Sequence, residues 1–248
     1  MHRFTSHVAL LLLVLLAAPS SQAATLVYLD EATYLGDLAG FGYTTVTEGF
    51  ENAGVWGGVR STSNGFHTAP AIVSQGITWA ANYPGVGITT GSGAAVTGAY
   101  GFYSYPHGNY ANHDGVTVDC TLPGTCGDGF VGSAAGPLFG VGGWFRSNTP
   151  PAALGLYLDG MPVDFGESCA GGNCSNNDAL GTTPTFFGVI DTAGFGSFEY
   201  RETEGTRGDA KYIFADQFTL AVTAVPLPPA ILLLLPALGL LGNRRRRG

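Results

Sequence analysis

The side chains best suited to ligand chemistry lie between positions 100 and 114, where aromatic rings are interleaved with amide, imidazole and carboxylate groups. A sugar ring needs an apolar ring face beside oriented hydrogen-bonding groups. The candidate glycan contacts in this stretch are Tyr103, Tyr105, Tyr110, His113 and Asp114. The alternative is that several of these rings fill the core, as aromatic side chains in glycine-rich strands commonly do.

Carboxylates are the second group of candidates, because glycosidases place two acids several ångströms apart across a groove. The available acids are Glu48, Glu51, Asp164, Glu167 and Glu199. The sequence holds no Gly-x-Ser-x-Gly elbow, no His-Glu-x-x-His motif and no phosphate-binding loop. We therefore expect no catalytic residues and no enzyme activity, with a hydrolase acting on polysaccharide from a jelly-roll fold as the alternative.

Oxygen-rich turns raise the question of calcium. The candidates are the 173–178 loop and the group formed by Asp159, Asp164 and Glu167. Neither follows the EF-hand spacing, so the sequence favours solvated turns and predicts no metal or other cofactor, with calcium as the alternative.

The charge of the chain excludes one class of partner. All eighteen acidic residues lie between Asp30 and Asp216, with only five of the ten basic residues, so this stretch carries thirteen more negative than positive charges. Phosphate backbones would be repelled, and no nucleic-acid partner is expected.

The composition favours an all-β fold of the β-sandwich or jelly-roll type. The chain has 39 glycines and almost no stretch with helical periodicity. Alternating apolar and polar residues, with the Asp159-Gly160 turn signal, predict about nine strands. The candidate segments are 26–29, 44–50, 72–80, 93–105, 139–146, 154–163, 186–191, 197–201 and 217–222.

The N-terminus has the pattern of a secretory signal peptide over residues 1–23. An arginine precedes an apolar run at 8–18, and Ser21-Gln22-Ala23 supplies a cleavage motif, which predicts cleavage by signal peptidase after Ala23 or Ala24. The alternative, an uncleaved anchor, would rest on eleven apolar residues, too few to span a bilayer.

The C-terminus, residues 225–248, combines a proline motif, a short apolar run at 230–242 and an arginine cluster. The apolar run predicts a single transmembrane helix with the arginines on the cytoplasmic side. The motif consists of Val225, Pro226, Leu227, Pro228, Pro229 and Ala230, and the cluster of Arg244, Arg245, Arg246 and Arg247.

This tail resembles the PEP-CTERM sorting signals, most closely their VPLPA variant. Leu227 replaces the glutamate of the Pro-Glu-Pro form, Pro229 stands where the variant has alanine, and Pro236 interrupts the apolar run. The resemblance implies an exosortase-type processing enzyme as a partner. It also implies transit through the inner membrane to the cell surface or extracellular matrix. A plain C-terminal membrane anchor is the alternative.

The region before the tail, residues 24–224, resembles the β-sandwich ectodomains that precede PEP-CTERM tails. The similar segments are 140–145, 158–160, 186–191, 195–198 and 215–220. The resemblance implies a lectin-like domain and a structural or glycan-interacting matrix protein, with exopolysaccharide as a partner.

The four cysteines form two close pairs, Cys120 with Cys126 and Cys169 with Cys174. In an exported protein four cysteines allow three disulfide connectivities, and local pairing is the simplest. A four-thiolate metal site is the alternative, although neither pair has the two-residue spacing of a zinc knuckle.

Overall fold

Antiparallel strands account for most of the computed structural model, which describes residues 24–62, 65–82, 86–105, 129–148, 152–164, 178–202 and 213–224. The fold is mostly β-sheet, so the predicted all-β class is confirmed. In chain order the strands are β1 Thr25–Tyr28, β2 Tyr43–Glu48, β3 Ala71–Ser74, β4 Ile77–Ala81, β5 Gly87–Gly91, β6 Gly101–Tyr105, β7 Gly129–Ser147, β8 Ala152–Leu158, β9 Met161–Pro162, β10 Asp178–Leu180, β11 Thr185–Glu202 and β12 Ile213–Ala224. The helices are α1 Glu31–Phe41 and the short α2 Ala53–Trp56, which continues into a 3-10 turn at Gly57–Val59.

Strands β7 and β11 pair with each other along nearly their whole length, and each changes its other partner midway. On its free side β7 pairs first with β4 and then with β12. Strand β11 pairs first with β1 and then with β8. Strand β12 likewise passes from β6 to β2. The result is one hydrogen-bonded sheet of twelve strands among the described residues, divided into two halves by these exchanges.

The two halves of the sheet face each other across a core of aromatic rings. Tyr200, from the half that contains β8, lies 4.3 Å from Phe145, which belongs to the half that contains β12. Phe198 and Phe218 make a similar contact at 6.4 Å between ring centroids. Both pairs are almost completely buried. This packing gives two layers, as in the β-sandwich that the sequence predicts.

Helix α1 covers part of the outer face of the layer that contains β12. Asp30 caps its first turn by accepting a hydrogen bond from the Thr33 amide at 2.8 Å, and Gly42 ends it with a left-handed φ of 72°. Tyr34 is fully buried, and its hydroxyl donates to the Thr219 carbonyl at 2.9 Å. Leu38, one turn further on, is buried in the same cluster.

Glycines in the sheet make room for this helix. A Cβ at Gly142 would lie 2.6 Å from the Phe186 ring and 2.9 Å from the Tyr34 ring. Gly140 faces the same helix, with Leu38 and Tyr34 atoms 3.0 Å from where its Cβ would be. The glycines therefore set how closely α1 approaches the sheet.

Most predicted strands are present, with three differences. The 72–80 segment is a hairpin rather than one strand, because Gln75 and Gly76 take positive φ values of 53° and 78°. The 93–105 segment is a strand only from Gly101, and the 186–191 and 197–201 segments are parts of the single strand β11. Helix α1 was not predicted, since only Tyr34 and Leu38 are buried on it and its apolar pattern is weak.

The predicted chain ends lie outside the described residues. They are the predicted signal peptide, residues 1–23, and the tail, residues 225–248, which includes the predicted membrane segment 230–242. Among the described residues, no helix is both long and apolar enough to cross a membrane.

We expect Gly142→Ala to lower the free energy of unfolding by about 1–3 kcal/mol, because the new methyl group overpacks the Tyr34 and Phe186 rings. Chemical denaturation measures the change. Gly136→Ala is the matched control on the same strand, since nothing lies within 4 Å of a Cβ there. Equal effects of the two substitutions would contradict the packing of α1 described above.

Candidate functional site

Two of the five predicted glycan contacts lie in the described part of the chain, and both are on β6. Phe102 points into the core, so Tyr103 and Tyr105 point to the opposite, outer face of the sheet. The other three, Tyr110, His113 and Asp114, lie outside the described residues.

Tyr105 supports an exposed aromatic ring that the sequence analysis did not select. The Phe66 ring stacks on it with a centroid distance of 4.2 Å and an interplanar angle of 11°. Phe66 is 55% exposed, although Tyr105 covers one face of its ring. Much of this exposed area must belong to the opposite ring face. We call this stacked pair the Phe66 platform.

Backbone hydrogen bonds hold the Phe66 segment against the edge strand β5. Ser61 donates to the Thr90 carbonyl at 2.8 Å, and Ala69 and Ile88 exchange two bonds at 2.8 and 3.1 Å. A Cβ at Gly87 would lie 2.6 Å from the Thr68 side chain, so only glycine permits this close approach. The platform is therefore fixed at both ends of its segment.

Tyr103 lies on the same outer face but is largely covered. It is only 7% exposed, and its ring makes an edge contact with Phe214 at 5.5 Å. A Cβ at Gly91 would lie 3.1 Å from the same ring. Tyr103 therefore packs the outer face beside Tyr105 and offers little ring surface for a ligand.

Two carboxylates clamp the loop that leads into β6. Glu51 accepts hydrogen bonds from the amides of Ala99 and Tyr100 at 2.7 and 2.9 Å. Asp216 accepts from the amides of Val96 and Thr97 at 2.8 and 3.0 Å. These bonds account for the loop conformation in a segment where the sequence predicts strand, because they satisfy amides that a ladder would otherwise use.

A cation–π contact continues the clamp. The Arg60 guanidinium lies 3.7 Å from the centroid of the Tyr100 ring, and it donates to the Glu51 carbonyl at 2.8 Å. Arg60 also opens the segment that carries Phe66. The clamp and the platform are thus linked through one stretch of backbone.

Burial raises the pKa of Asp216, because loss of hydration outweighs the amides of Thr97, Val96 and Gln217, which favour the ionised form. Asp30 shows the opposite shift. The Thr33 hydroxyl and amide lower the pKa of this exposed carboxyl by hydrogen bonding.

A groove of about 520 Å³ lies where β11 changes partner from β1 to β8. Its volume is in the range of small-ligand sites. Its lining residues include three aspartates, Asp159, Asp164 and Asp191, together with Thr25. The other lining residues are Val27, Leu158, Met161, Pro162, Val163, Ala193, Gly194 and Phe195.

Asp159 and Asp191 accept hydrogen bonds within the fold. Asp159 accepts from the amides of Gly196 and Ser197 at 3.0 and 2.8 Å. Asp191 accepts from the Thr25 hydroxyl at 2.7 Å and from the Ala193 amide at 2.8 Å. These two side chains therefore stabilise the walls of the groove.

Most acids considered for a hydrolase are engaged elsewhere. Glu48 is buried and accepts from the Phe50 amide and the Ser74 hydroxyl. Glu199 pairs with Arg201 at 2.9 Å. Glu51 holds the loop described above, and Glu167 lies outside the described residues. Of the four that lie in the described part of the chain, only Asp164 lines the groove.

The calcium alternative involves two acids of the groove, Asp159 and Asp164. Among the described residues, no three His, Cys, Asp or Glu side chains are grouped as metal ligands. Glu167 and most of the 173–178 loop lie outside the described residues. The four cysteines, Cys120, Cys126, Cys169 and Cys174, also lie outside them, so their predicted pairing stays a prediction.

The opposite pKa shifts of Asp216 and Asp30 predict opposite pH dependences of stability. Because the folded-state pKa of Asp216 is raised, its ionisation opposes folding, and its contribution becomes more favourable as the pH falls through that pKa. We expect wild type to gain stability relative to Asp216→Asn on acidification. The Asp30 contribution is lost as the pH falls, so Asp30→Asn should show the reverse trend. Urea denaturation between neutral pH and about pH 2.5 measures both, because the Asp216 change lies above the ordinary Asp pKa and the Asp30 change lies below it. Parallel curves for all three proteins would contradict the assignment.

No protein-family model matches the chain, and no curated protein matches it. Among solved structures, the K2 cleaved adhesin domain of Lys-gingipain is 12% identical with a TM-score of 0.40, covering 71% of this chain and 99% of that chain. The CBM22-1 xylan-binding domain of Xyn10C from Paenibacillus barcinonensis is 11% identical with a TM-score of 0.28, covering 73% of this chain and 97% of that chain. At these TM-scores neither likeness identifies a ligand for this chain.

Proposed function

We propose that this chain is an exported protein of the cell surface or extracellular matrix whose β-sandwich domain binds glycans without catalysis. The Phe66 platform is the observation that carries the proposal. It presents a flat apolar ring whose orientation is set before any ligand arrives, by Tyr105 behind it and by backbone bonds on either side. Stacking on such a ring costs little ordering of the protein, and this is what the C–H face of a sugar requires.

The charge of the domain narrows the class of glycan. The stretch from Asp30 to Asp216 carries thirteen more negative than positive charges. Like charges repel, so a neutral polysaccharide is a better ligand than a sulfated or uronic acid polymer. The lectin-like jelly-roll role implied by the resemblance of residues 24–224 is part of this proposal, with exopolysaccharide as the partner.

Export and sorting form the second part of the proposal. Signal peptidase removes residues 1–23, the segment 230–242 holds the chain in the inner membrane, and an exosortase-type enzyme processes it at residues 225–230. Strand β12 ends at Ala224, directly before this motif. A cut within the motif would therefore leave the sheet intact.

The hydrolase alternative depends on the groove, whose lining includes Asp164, Asp159 and Asp191. The hydrogen bonds made by Asp159 and Asp191 favour a structural role for these two carboxylates. Release of new reducing ends from a polysaccharide by the wild-type protein, abolished in Asp164→Asn, would support the hydrolase and contradict a purely binding role.

We expect Phe66→Ala to weaken binding of the exported protein to a neutral polysaccharide by roughly tenfold or more, because burial of a Phe ring contributes about 1.5–3 kcal/mol. Affinity electrophoresis against a panel that includes the host exopolysaccharide gives the measurement. Phe66→Trp keeps a flat ring and should retain binding.

Phe41→Ala is the matched control for this experiment. Phe41 is 46% exposed, and its ring centroid lies 5.7 Å from that of Tyr43. The substitution therefore removes a similar ring from a different part of the surface. Equal weakening by Phe66→Ala and Phe41→Ala, or binding that survives both, would rule out the Phe66 platform as the glycan site.

The sorting proposal predicts a specific mature C-terminus. Intact mass of the protein from its native host should place the end of the chain within residues 225–230 when the exosortase gene is present. Deletion of that gene should leave the tail uncut and the protein in the inner membrane. An unprocessed tail in both strains would make residues 225–248 an ordinary membrane anchor.

A further inference from the structure

Ala24 is built into the sheet although it precedes the first residue of β1. Its amide donates to the Thr192 hydroxyl at 2.9 Å, and its carbonyl accepts from the Thr192 amide at 3.1 Å. Thr25, the next residue, lies opposite Asp191 in the β1–β11 ladder. Ala24 therefore extends this ladder by one residue beyond the strand itself.

The sequence predicts cleavage at one of two peptide bonds, Ala23–Ala24 or Ala24–Thr25, and the two cuts would leave different N-termini. A cut between Ala24 and Thr25 would remove Ala24 and both of its bonds to Thr192. A cut between Ala23 and Ala24 would keep the carbonyl bond and leave the nitrogen of Ala24 as a new donor at the same place. The folded structure thus favours cleavage between Ala23 and Ala24, because that cut keeps Ala24 in the sheet.

The leader residues that precede the cut also favour cleavage between Ala23 and Ala24. Signal peptidase reads small residues at the last and third-last positions of the leader. A cut after Ala23 places Ala23 and Ser21 there, whereas a cut after Ala24 places Gln22 at the third-last position. The large amide side chain of Gln22 does not fit that pattern.

We propose that signal peptidase cleaves between Ala23 and Ala24, and that the α-ammonium group so formed docks on the Thr192 hydroxyl. Water is added across the peptide bond: Ala23 leaves with the leader as a carboxylate, and the nitrogen of Ala24 becomes an amine that is protonated at neutral pH. The proposal rests on the export part of the proposed function and is independent of glycan binding.

The residue after Ala24 binds an acidic side chain of β11. The Asp191 carboxylate is already held in place by the Thr25 hydroxyl at 2.7 Å and the Ala193 amide at 2.8 Å. A neighbouring carboxylate stabilises an ammonium group, and hydrogen bonds from charged donors are stronger than those from neutral amides. After cleavage the Thr192 hydroxyl would therefore accept from a charged donor, which makes a stronger hydrogen bond than the precursor amide does.

Docking also changes the groove at the exchange point of β11. Thr25 and Asp191 belong to its wall, together with the carboxylates of Asp159 and Asp164. Ala24 directly precedes Thr25, so its α-ammonium would add a positive charge at one end of this wall. Processing would thus alter the electrostatics of the groove as well as release the protein from its leader.

The first test uses the full chain, produced and exported in a Gram-negative host, with N-terminal sequencing and intact mass of the product. We expect the mature protein to begin Ala24-Thr25-Leu26. A product that begins at Thr25 overturns the choice of bond while leaving export intact. A retained leader overturns this proposal and the export part of the proposed function together, whereas a loss of glycan binding alone affects neither.

The second test measures docking of the new terminus in the same exported protein. Thr192→Val removes the hydroxyl, and loss of one such hydrogen bond should speed removal of Ala24 by an added aminopeptidase by about fivefold. Thr192→Ser restores the hydroxyl and should trim at the wild-type rate. Thr45→Val makes the same change on exposed strand β2 and serves as the control. Equal trimming of wild type and Thr192→Val would overturn the docking.

Discussion

Aspartate side chains that accept backbone N–H groups at the partner exchanges of β11 and β12 are the interaction on which the rest of this structure depends. Where a strand changes its neighbour, the ladder is broken and amides lose their carbonyl partners, which is costly in a buried sheet. Asp159 fills this gap on β11 by accepting from Gly196 and Ser197. Asp216 does the same near the exchange on β12, where it accepts from the adjacent loop and from Gln217.

Both aspartates lie beside the candidate sites, and the backbone is strained at Asp159 itself and at Gln217, the residue after Asp216. Asp159 and Gln217 have positive φ values of 48° and 51°, which non-glycine residues rarely adopt. The exchange on β11 opens the groove, because β1 and β8 diverge there. The exchange on β12 lies beside the clamped loop that leads to β6 and so to Tyr105. Features available to a ligand thus occur where the regular sheet cannot continue.

Local patterns predicted much of the fold and little of the site. Alternation along Phe198 and Tyr200, and the turn at Asp159-Gly160, correctly indicate strands and a hairpin, because these signals act over a few residues. Helix α1 escaped prediction since its helical conformation depends on contacts between Tyr34 and a distant sheet surface lined with glycines. Tyr105 was selected for its aromatic ring, whereas Phe66, some forty residues earlier in the chain, could be recognised only when the two rings were seen stacked.

The amino-acid sequence by itself determined the β class, the acidic character and most strand positions, because composition and period-two alternation are local properties. It also carries, at its two ends, the patterns from which signal-peptide cleavage and sorting are predicted. Only the tertiary structure decided which face each tyrosine occupies, where the carboxylates find amide partners and that Ala24 belongs to the sheet. These outcomes depend on contacts between residues as far apart as Ala24 and Thr192, and no local pattern encodes such a distance.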